Sequence, residues 1–204
     1  MNGAARQRVN PGADAQVLQA RLVAIARATP WFMQALAQVR TLGLRHWCIG
    51  AGAVRNLVWD ALAGHSTPSA LADVDVAHFD AADLSPGRDH ALQARLRALA
   101  PATPWEVTNQ AGVHLWFESV FGHAVAPLRS LEDAVASWPE TATAVGLHLC
   151  DDDSLSVIAP HGLADLFDMI VRRNPQRVSV ETYRQRLASK RYAERWPGVR
   201  VVDA

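Results

Sequence analysis

Cysteine is scarce in this chain: there are two, Cys48 and Cys150, each within an apolar run that is typical of a buried strand. Two cysteines are too few for a disulfide scaffold, and neither has a second Cys or a His at the spacing of a metal site. We therefore expect two buried free thiols, as in a cytoplasmic protein. Lysine is scarcer still, with Lys190 alone among 20 basic side chains.

An excess of either charge is also lacking, because 20 basic side chains balance 20 acidic ones. A chain of zero net charge has no global attraction to nucleic acid or to an anionic membrane, so no long duplex is expected as a partner. No apolar run approaches the roughly 20 residues of a membrane span, and residues 1–12 lack the apolar core of a signal peptide. We expect a cytoplasmic protein with a flexible leader at 1–12 and no membrane partner.

Half of the residues are hydrophobic, which is enough for a sizeable core in 204 residues. No internal repeat or low-complexity linker divides the chain. We therefore predict one domain over 13–204, with a core at about 45–160 and a helical part at about 161–204.

Hydrophobic periodicity and turn residues predict an α+β fold, with a small mixed β-sheet, helices packed on it, and helical N- and C-terminal additions. Helices are predicted at 13–29, 31–42, 54–63 (closed by Gly64), 89–100, 162–171 and about 180–196, with a weaker one at 111–121 and a start capped by Ser130. Strands are predicted at 45–49, 74–79 and 105–109, followed by a hairpin of 141–149 and 155–158 whose tip is the acidic run 151–153.

The most informative stretch is the turn Gly50-Ala51-Gly52, which lies between an apolar strand and an apolar-periodic helix. Glycines can take backbone angles closed to other residues, and they let a ligand approach bare amide groups. The helix that follows would direct its free N–H groups and its positive dipole end at the same place. The turn is therefore a candidate phosphate site.

Two carboxylates follow a loop later, in Asp73-Val74-Asp75. On an extended segment these two aspartates point to the same face, about 6 to 7 Å apart, and both can reach one hard cation. Alone, a glycine-rich turn is common without any ligand, and the aspartates could lie on a solvated edge. The two motifs together favour a phosphate site beside a metal site.

These motifs resemble a known signature. The run Gly50 to Asn56, followed by Asp73-Val74-Asp75, resembles the DNA polymerase beta-type nucleotidyltransferase superfamily. The run is also similar to the glycine-turn helix of tRNA CCA-adding enzymes, although Asn56 stands where that pattern has an acid. Further segments resemble a bacterial nucleotidyltransferase-like family of unassigned substrate: Asn109-Gln110, 141–146, 160–163, 165–167, Tyr183, Arg186, Lys190 and Trp196-Pro197.

The superfamily resemblance implies transfer of a nucleoside monophosphate from a nucleoside triphosphate to an acceptor, which could be a small molecule, an RNA end or a protein. It implies a carboxylate set that holds Mg²⁺ or Mn²⁺, with Asp73 and Asp75 as the first two ligands. Glu106 is the third carboxylate, which is expected to serve as the base or the metal ligand for the acceptor. It places the triphosphate on the turn formed by Gly50, Ala51 and Gly52. Whether Glu106 faces the two aspartates decides between an enzyme and a noncatalytic nucleotide- or metal-binding regulator. A toxin-like enzyme that modifies tRNA is a third possibility.

Several polar residues keep two interpretations. Arg55 could contact phosphate from the first turn of the helix, or pair with Asp60 or another acid on its exposed face. Asn109 is assigned to the nucleotide site, and with Gln110 and His114 it could read a base or the acceptor, although such residues are more often structural. Arg172, Arg173, Arg186 and Lys190 could form a basic rim around the triphosphate, or a solvated helix face.

Overall fold

The computed structural model describes residues 11–202, so most of the predicted leader at 1–12 lies outside the described residues. Two N-terminal helices come first, α1 (Pro11–Arg27) and α2 (Pro30–Arg40), close to where the periodicity predicts them. Pro30 opens α2, because a proline at the first helical position has no amide hydrogen to leave unpaired. None of the helices over residues 11–202 is long and apolar enough to cross a membrane.

A mixed sheet of five strands forms the centre of the fold. The strands are β1 (Trp47–Gly50), β2 (Val74–His78), β3 (Trp105–Asn109), β4 (Gly146–Leu149) and β5 (Leu155–Ile158). Their order is β3-β2-β1-β4-β5; β2 and β3 run parallel, and the other pairs are antiparallel. A parallel pair needs a long crossover, which helix α4 (Pro86–Leu99) provides between β2 and β3. Helix α3 (Ala51–Ala63) connects β1 with β2. The predicted α+β class is therefore confirmed.

Helix α3 is buried over every residue from 53 to 60, which includes three polar side chains. Such a helix must satisfy its polar groups internally. The Asp60 carboxylate accepts hydrogen bonds from the Ser69 amide (2.7 Å) and from Trp196 Nε1 (2.8 Å). Asp60 therefore ties the loop after α3 to the C-terminal part of the chain. Arg55 is not among the hydrogen-bond partners of Asp60, so the interpretation in which Arg55 pairs with Asp60 is wrong.

The middle of the chain is less helical than predicted. The 111–121 segment divides into a 3-10 turn at Gln110–Leu115 and the short helix α5 (Phe117–Phe121). Helix α6 (Leu131–Ala136) begins as predicted, with Ser130 Oγ accepting from the Asp133 amide at 3.0 Å. The thiols are free, with Cys48 buried and Cys150 half-buried.

Two C-terminal predictions are wrong, and left-handed residues explain both. The helix predicted at 162–171 is only α7 (Ala164–Phe167), because Met169 has φ 54° and the chain continues as β6 (Ile170–Val171). The helix predicted at 180–196 divides at Arg191, which has φ 49°, into α8 (Val180–Lys190) and α9 (Tyr192–Arg195). A final strand, β7 (Arg200–Val201), pairs with β6.

Candidate active site

The three predicted carboxylates lie at one pocket. Asp75 on β2 and Glu106 on β3 are direct partners in the parallel register, so both side chains leave the same face of the sheet. Asp73 lies two residues before Asp75 and also points to that face. All three line a pocket of about 240 Å³, which we call the carboxylate pocket. Glu106 therefore faces the two aspartates.

Three acidic groups around one small pocket repel one another. Burial, together with the charges of Asp73 and Glu106, raises the pKa of Asp75 from 3.8 to about 7. The nearby cations Lys190 and Arg186 offset only part of this rise. Asp75 is therefore a buried acid whose charged form is opposed first by burial and then by two neighbouring carboxylates.

This charge distribution fits a divalent cation. Carboxylate oxygens are hard donors of the kind that Mg²⁺ and Mn²⁺ prefer, and a bound cation would offset both the burial and the like charges that raise the Asp75 pKa. Within residues 11–202, however, no three His, Cys, Asp or Glu side chains already form a group that could hold a metal ion. The carboxylates share a pocket without forming a preassembled ligand cluster.

The glycine turn has the predicted position but a different physical basis. Gly50 is extended, with φ −146° and ψ −155°, and the left-handed residue is Ala51, with φ 50°. A Cβ on Gly50 would lie 2.5 Å from two ring carbons of Trp138 and 2.8 Å from the Val145 oxygen. Position 50 therefore requires glycine because any larger side chain would collide with Trp138 and the Val145 oxygen. The expectation that this glycine serves an unusual backbone angle is wrong.

Gly52 gives the pocket its opening at the start of α3. A Cβ there would contact Arg55 Nη2 at 3.8 Å and Asp73 Oδ1 at 3.9 Å, so the glycine leaves open space between a cation and a carboxylate. The Ala51 amide donates to the Val145 oxygen at 3.2 Å. The amides that follow it in the first turn of α3 are the ones left for a ligand, together with the positive end of the helix dipole.

Arg55 is a buried cation that borders the carboxylate pocket with only 4% of its surface exposed. Its guanidinium donates to Asn56 Oδ1 at 2.7 and 3.2 Å and to the Tyr192 hydroxyl at 3.4 Å. It also lies over the rings of Trp59, Tyr192 and Trp196, at 5.6, 4.9 and 5.5 Å. Among residues 11–202, no carboxylate forms an ion pair with it. Burial lowers the pKa of Arg55, so its charge is not fully compensated by the protein.

Helix α8 contributes two more cations. Arg186 and Lys190, four residues apart on one helix face, both line the carboxylate pocket. Arg186 makes a bidentate pair with the buried Glu140, at 2.7 and 3.2 Å. Burial opposes the Arg186 charge, but hydrogen bonding and attraction to Glu140 raise its pKa. Of the four residues predicted as a basic rim, Arg186 and Lys190 therefore border the pocket, whereas Arg172 and Arg173 do not.

Asn109 is not brought into the carboxylate pocket. Its amide nitrogen donates to the Asp80 and Asp83 oxygens at 2.8 and 2.9 Å, and its Oδ1 accepts from the Asp80 and Ala111 amides at 3.0 and 3.2 Å. All of these bonds close the loop after β2 and the turn after β3. Asn109 therefore has a structural position, while its neighbour Gln110 lines the pocket.

Four further residues of the carboxylate pocket come from segments that the sequence patterns do not connect with the site. Thr108 extends the alternation of β3, and Trp138, Pro139 and Thr143 follow α6. Alternation could have indicated Thr108, because it lies two positions after Glu106 on the same strand face. No local pattern indicates the other three, which reach the site only through the packing of α6 on the sheet.

The fold and pocket define a nucleotidyltransferase-type protein. A glycine turn opens a buried helix beside three carboxylates on a mixed sheet, as the motif resemblance implies. Comparison with known families agrees, since residues 37–201 match the profile of a family described as Nucleotidyltransferase. The chain belongs to this nucleotidyltransferase family.

One solved structure supports the same assignment. An NMR structure described as revealing a CCA-adding enzyme head domain is 31% identical, with a TM-score of 0.74 over 90% of this chain and 95% of that one. A tRNA-processing enzyme in an apo form and with CTP is 18% identical in each case, with TM-scores of 0.47 and 0.43. This chain covers 45% and 42% of those two chains. No curated protein matches its sequence.

Proposed function

We propose that this nucleotidyltransferase moves a nucleoside monophosphate from a nucleoside triphosphate to an acceptor in a reaction that requires Mg²⁺ or Mn²⁺. The observation that carries the proposal is the register pairing of Asp75 with Glu106, with Asp73 at the same pocket. Likeness to a protein described as a CCA-adding enzyme head domain supports the type of transfer. The acceptor can be a small molecule, an RNA end or a protein.

Asp73, Asp75 and Glu106 would hold the divalent cation. When bound, the cation supplies charge neutralisation for the departing pyrophosphate and activation of the attacking oxygen. The donor set supports this role, because burial and the charges of Asp73 and Glu106 raise the Asp75 pKa to about 7, and a bound cation would favour the charged carboxylate. Asp75 must be deprotonated to act as a ligand.

The triphosphate would lie against the positive groups of the same pocket. Lys190 and Arg55 supply side-chain charge, and the first turn of α3 supplies amides and its dipole. Arg55 suits this role because its neighbours are amide, hydroxyl and aromatic groups, which hold its guanidinium without cancelling its charge. A triphosphate would supply an anionic partner for the Arg55 guanidinium, which forms no ion pair with a carboxylate of residues 11–202.

In the transfer step, an acceptor oxygen forms a bond to the α-phosphorus, and the bond from that phosphorus to the pyrophosphate oxygen breaks. Pyrophosphate leaves with the electron pair, and the acceptor proton passes to Glu106. Glu106 is exposed at the pocket edge, where an incoming hydroxyl group can reach it.

The test uses the purified protein with each of the four α-labelled ribonucleoside triphosphates and Mg²⁺ or Mn²⁺. Label transfer to added small molecules, RNA or protein is measured together with pyrophosphate release. Asp73→Asn and Asp75→Asn are each expected to lower release by at least about 100-fold, because each removes a charged ligand. Asp152→Asn, at the exposed tip of the β4–β5 hairpin, is the matched control and keeps the wild-type rate.

The outcomes separate an enzyme from a binding protein. If no triphosphate binds in the presence of metal, and both aspartate variants behave as wild type, the proposal is wrong. Metal-dependent binding with no release from any triphosphate supports the noncatalytic regulator instead. Growth inhibition on expression, together with modified tRNA, would identify the toxin-like alternative.

A further inference from the structure

A second, larger pocket opens directly off the carboxylate pocket. Its volume is about 530 Å³, and the two pockets share six lining residues: Glu106, Thr108, Gln110, Trp138, Pro139 and Arg186. Its remaining lining includes Trp116, Phe117 and Phe121, so we call it the aromatic pocket. Because Glu106 stands in the shared wall, a molecule in the aromatic pocket can bring one of its atoms to that carboxylate.

The carboxylate pocket also opens toward Arg55 and Lys190, where its surroundings are different. Gly52, Arg55, Asp73 and Lys190 border a third pocket there, of about 630 Å³, and none of these four lines the aromatic pocket. The cations on this side suit the triphosphate. In phosphoryl transfer, the attacking and leaving oxygens lie roughly in line through the phosphorus. A leaving pyrophosphate on the cationic side therefore requires an acceptor that enters from the side of Glu106.

We infer that the aromatic pocket binds the acceptor, and that the acceptor is a small molecule with a flat apolar body and one hydroxyl group. The inference rests on the proposed function and adds the substrate class to it. The hydroxyl oxygen forms the new bond to the α-phosphorus, the bond to pyrophosphate breaks with its electron pair going to pyrophosphate, and Glu106 takes the hydroxyl proton.

The size and walls of the aromatic pocket support a flat apolar body. Ligand pockets for small molecules are commonly about 300 to 1,000 Å³ and mostly apolar, with few polar groups that fix orientation. Trp116 and Phe121 leave 43% and 44% of their surfaces exposed, which is much for side chains of this kind. A planar ligand can stack on such rings and cover them.

The surroundings of the aromatic pocket favour a small molecule over an RNA end. Of its two arginines, Arg186 pairs with Glu140, while Arg177 donates to the Ala126 oxygen at 2.6 Å and lies 5.8 Å from the Phe117 ring centre. Arg177 is therefore the single arginine of this lining whose charge no carboxylate of residues 11–202 pairs. Leu115 and Val120, next in sequence to the lining residues Trp116 and Phe121, are 64% and 62% exposed. RNA that continued beyond its terminal nucleotide would need cationic contacts to several phosphates, and one unpaired arginine beside apolar side chains does not supply them.

The test measures the binding of naphthol, a flat apolar molecule with one hydroxyl group, by fluorescence titration of the purified full chain. Wild type is expected to bind it at a single saturable site. Gln185→Trp fills the aromatic pocket from α8 and should weaken binding at least about tenfold. Ala188→Trp, at an exposed position of the same helix outside this pocket, is the matched control and keeps the wild-type affinity. Circular dichroism confirms that both variants fold, and Phe121→Ala, which removes a wall without filling the pocket, should also weaken binding.

A second measurement reports the orientation of the hydroxyl group. Glu106→Ala is expected to weaken naphthol binding about fivefold and to leave its methyl ether, methoxynaphthalene, within about twofold of wild type, because the ether has no proton to donate. An equal effect on both molecules, or none on naphthol, would contradict the placement of the hydroxyl group at Glu106.

A third arm addresses RNA. A short single-stranded RNA with a free terminal hydroxyl should fail to displace naphthol. Displacement by RNA at a lower concentration than naphthol itself requires would overturn the small-molecule assignment.

Failure of this inference differs from failure of the proposed function. If nucleotide is transferred and Asp75→Asn stops the transfer, but Gln185→Trp leaves naphthol affinity within about twofold, only the acceptor inference is overturned. If no triphosphate binds to wild type in the presence of metal, both fall together.

Discussion

Asp75 and Glu106 lie directly opposite each other across the β2–β3 register, so two like charges are paired on one face of a parallel sheet. Like charges at such positions are destabilising. Asp73 adds a third negative group to the same pocket. The fold therefore keeps an unfavourable arrangement at its candidate active site, and this arrangement has measurable consequences.

Replacing Asp75 by Asn is expected to stabilise the protein in the absence of divalent cations. Each pKa unit corresponds to about 1.4 kcal/mol, so a shift from 3.8 to about 7 corresponds to about 4 kcal/mol. The gain should appear in the free energy of unfolding, measured by urea denaturation at pH 8 with a chelator present. A less stable Asp75→Asn protein at pH 8 would contradict the electrostatic account.

The same gain should depend on pH. Because the Asp75 pKa is raised in the folded protein, the unfolded chain loses this proton more readily. The contribution of Asp75 to stability is fully present below about pH 3.8 and is lost as pH rises through about 7. The difference between Asp75→Asn and wild type should therefore shrink toward zero at pH 4. Asp152→Asn, at an exposed hairpin tip, should remain within about 0.5 kcal/mol of wild type at pH 8.

Divalent cations should stabilise wild type more than Asp75→Asn. A ligand that binds only the folded state raises its stability in proportion to the logarithm of ligand concentration over Kd. Added Mg²⁺ should therefore raise the wild-type Tm at pH 8, and less at pH 5, where protonated Asp75 competes with the cation. Equal increases in Tm for wild type and Asp75→Asn would place the cation elsewhere.

Asn56→Asp should weaken triphosphate binding. Asn56 Oδ1 lies 2.7 Å from Arg55 Nη2, so a carboxylate of the same shape would neutralise the guanidinium. We expect about a tenfold loss of affinity, which corresponds to about 1.4 kcal/mol, in equilibrium binding of a fluorescent triphosphate with Mg²⁺. Unchanged affinity would show that Arg55 does not meet the phosphates.

Gly50→Ala and Gly52→Ala should separate packing from binding. The new methyl group at position 50 would collide with Trp138 and the Val145 oxygen, so we expect a loss of at least about 1 to 3 kcal/mol in urea denaturation. At position 52 the nearest atoms are 3.8 and 3.9 Å away, so stability should change by less than about 1 kcal/mol. Triphosphate affinity should nevertheless fall in Gly52→Ala, because its methyl group occupies the space between Arg55 and Asp73. The prediction fails if Gly50→Ala is as stable as wild type.

Lys190 offers a direct chemical probe of the site. It is the only lysine in the sequence, so a reagent specific for primary amines reports this one side chain apart from the chain terminus. We expect a nucleoside triphosphate with Mg²⁺ to slow modification of Lys190 at least about fivefold, because a bound phosphate both covers and engages the amine. Peptide mass spectrometry measures the rate, and inorganic sulfate at equal ionic strength is the control. The same rate with and without triphosphate would exclude Lys190 from the binding site.

The carboxylate part of the site was predictable because its signals are local. Alternation predicts β3 at its observed bounds, and the spacing of Asp73 and Asp75 places them on one face. The pairing of Asp75 with Glu106 was not predictable. It depends on the register that the α4 crossover sets between two parallel strands, and periodicity within either strand contains no information about that register.

The cationic part of the site depends on contacts between distant segments. The pairing of Arg186 with Glu140 joins residues 46 positions apart, and helical periodicity alone predicts a solvated face as readily as a buried pair. For Gly50, the pattern predicts a phosphate-binding glycine, but Gly50 does not line the carboxylate pocket, and a side chain there is excluded by Trp138, which reaches the turn only after α6 has packed. Asn109 lies at the end of a strand, where a polar side chain is a candidate for ligand binding. Its side-chain amide instead donates to the Asp80 and Asp83 oxygens in the loop after β2.

The contact between Arg55 and Tyr192 spans 137 positions of sequence, and this separation matters during synthesis. At roughly 5 to 20 residues per second, α3 leaves the ribosome many seconds before the residues of α8 and α9. Until those helices dock, the Arg55 guanidinium lacks Tyr192 and Trp196, and the carboxylates lack Arg186 and Lys190. The nascent chain is therefore without a complete candidate active site until the segment around Tyr192 has folded onto it.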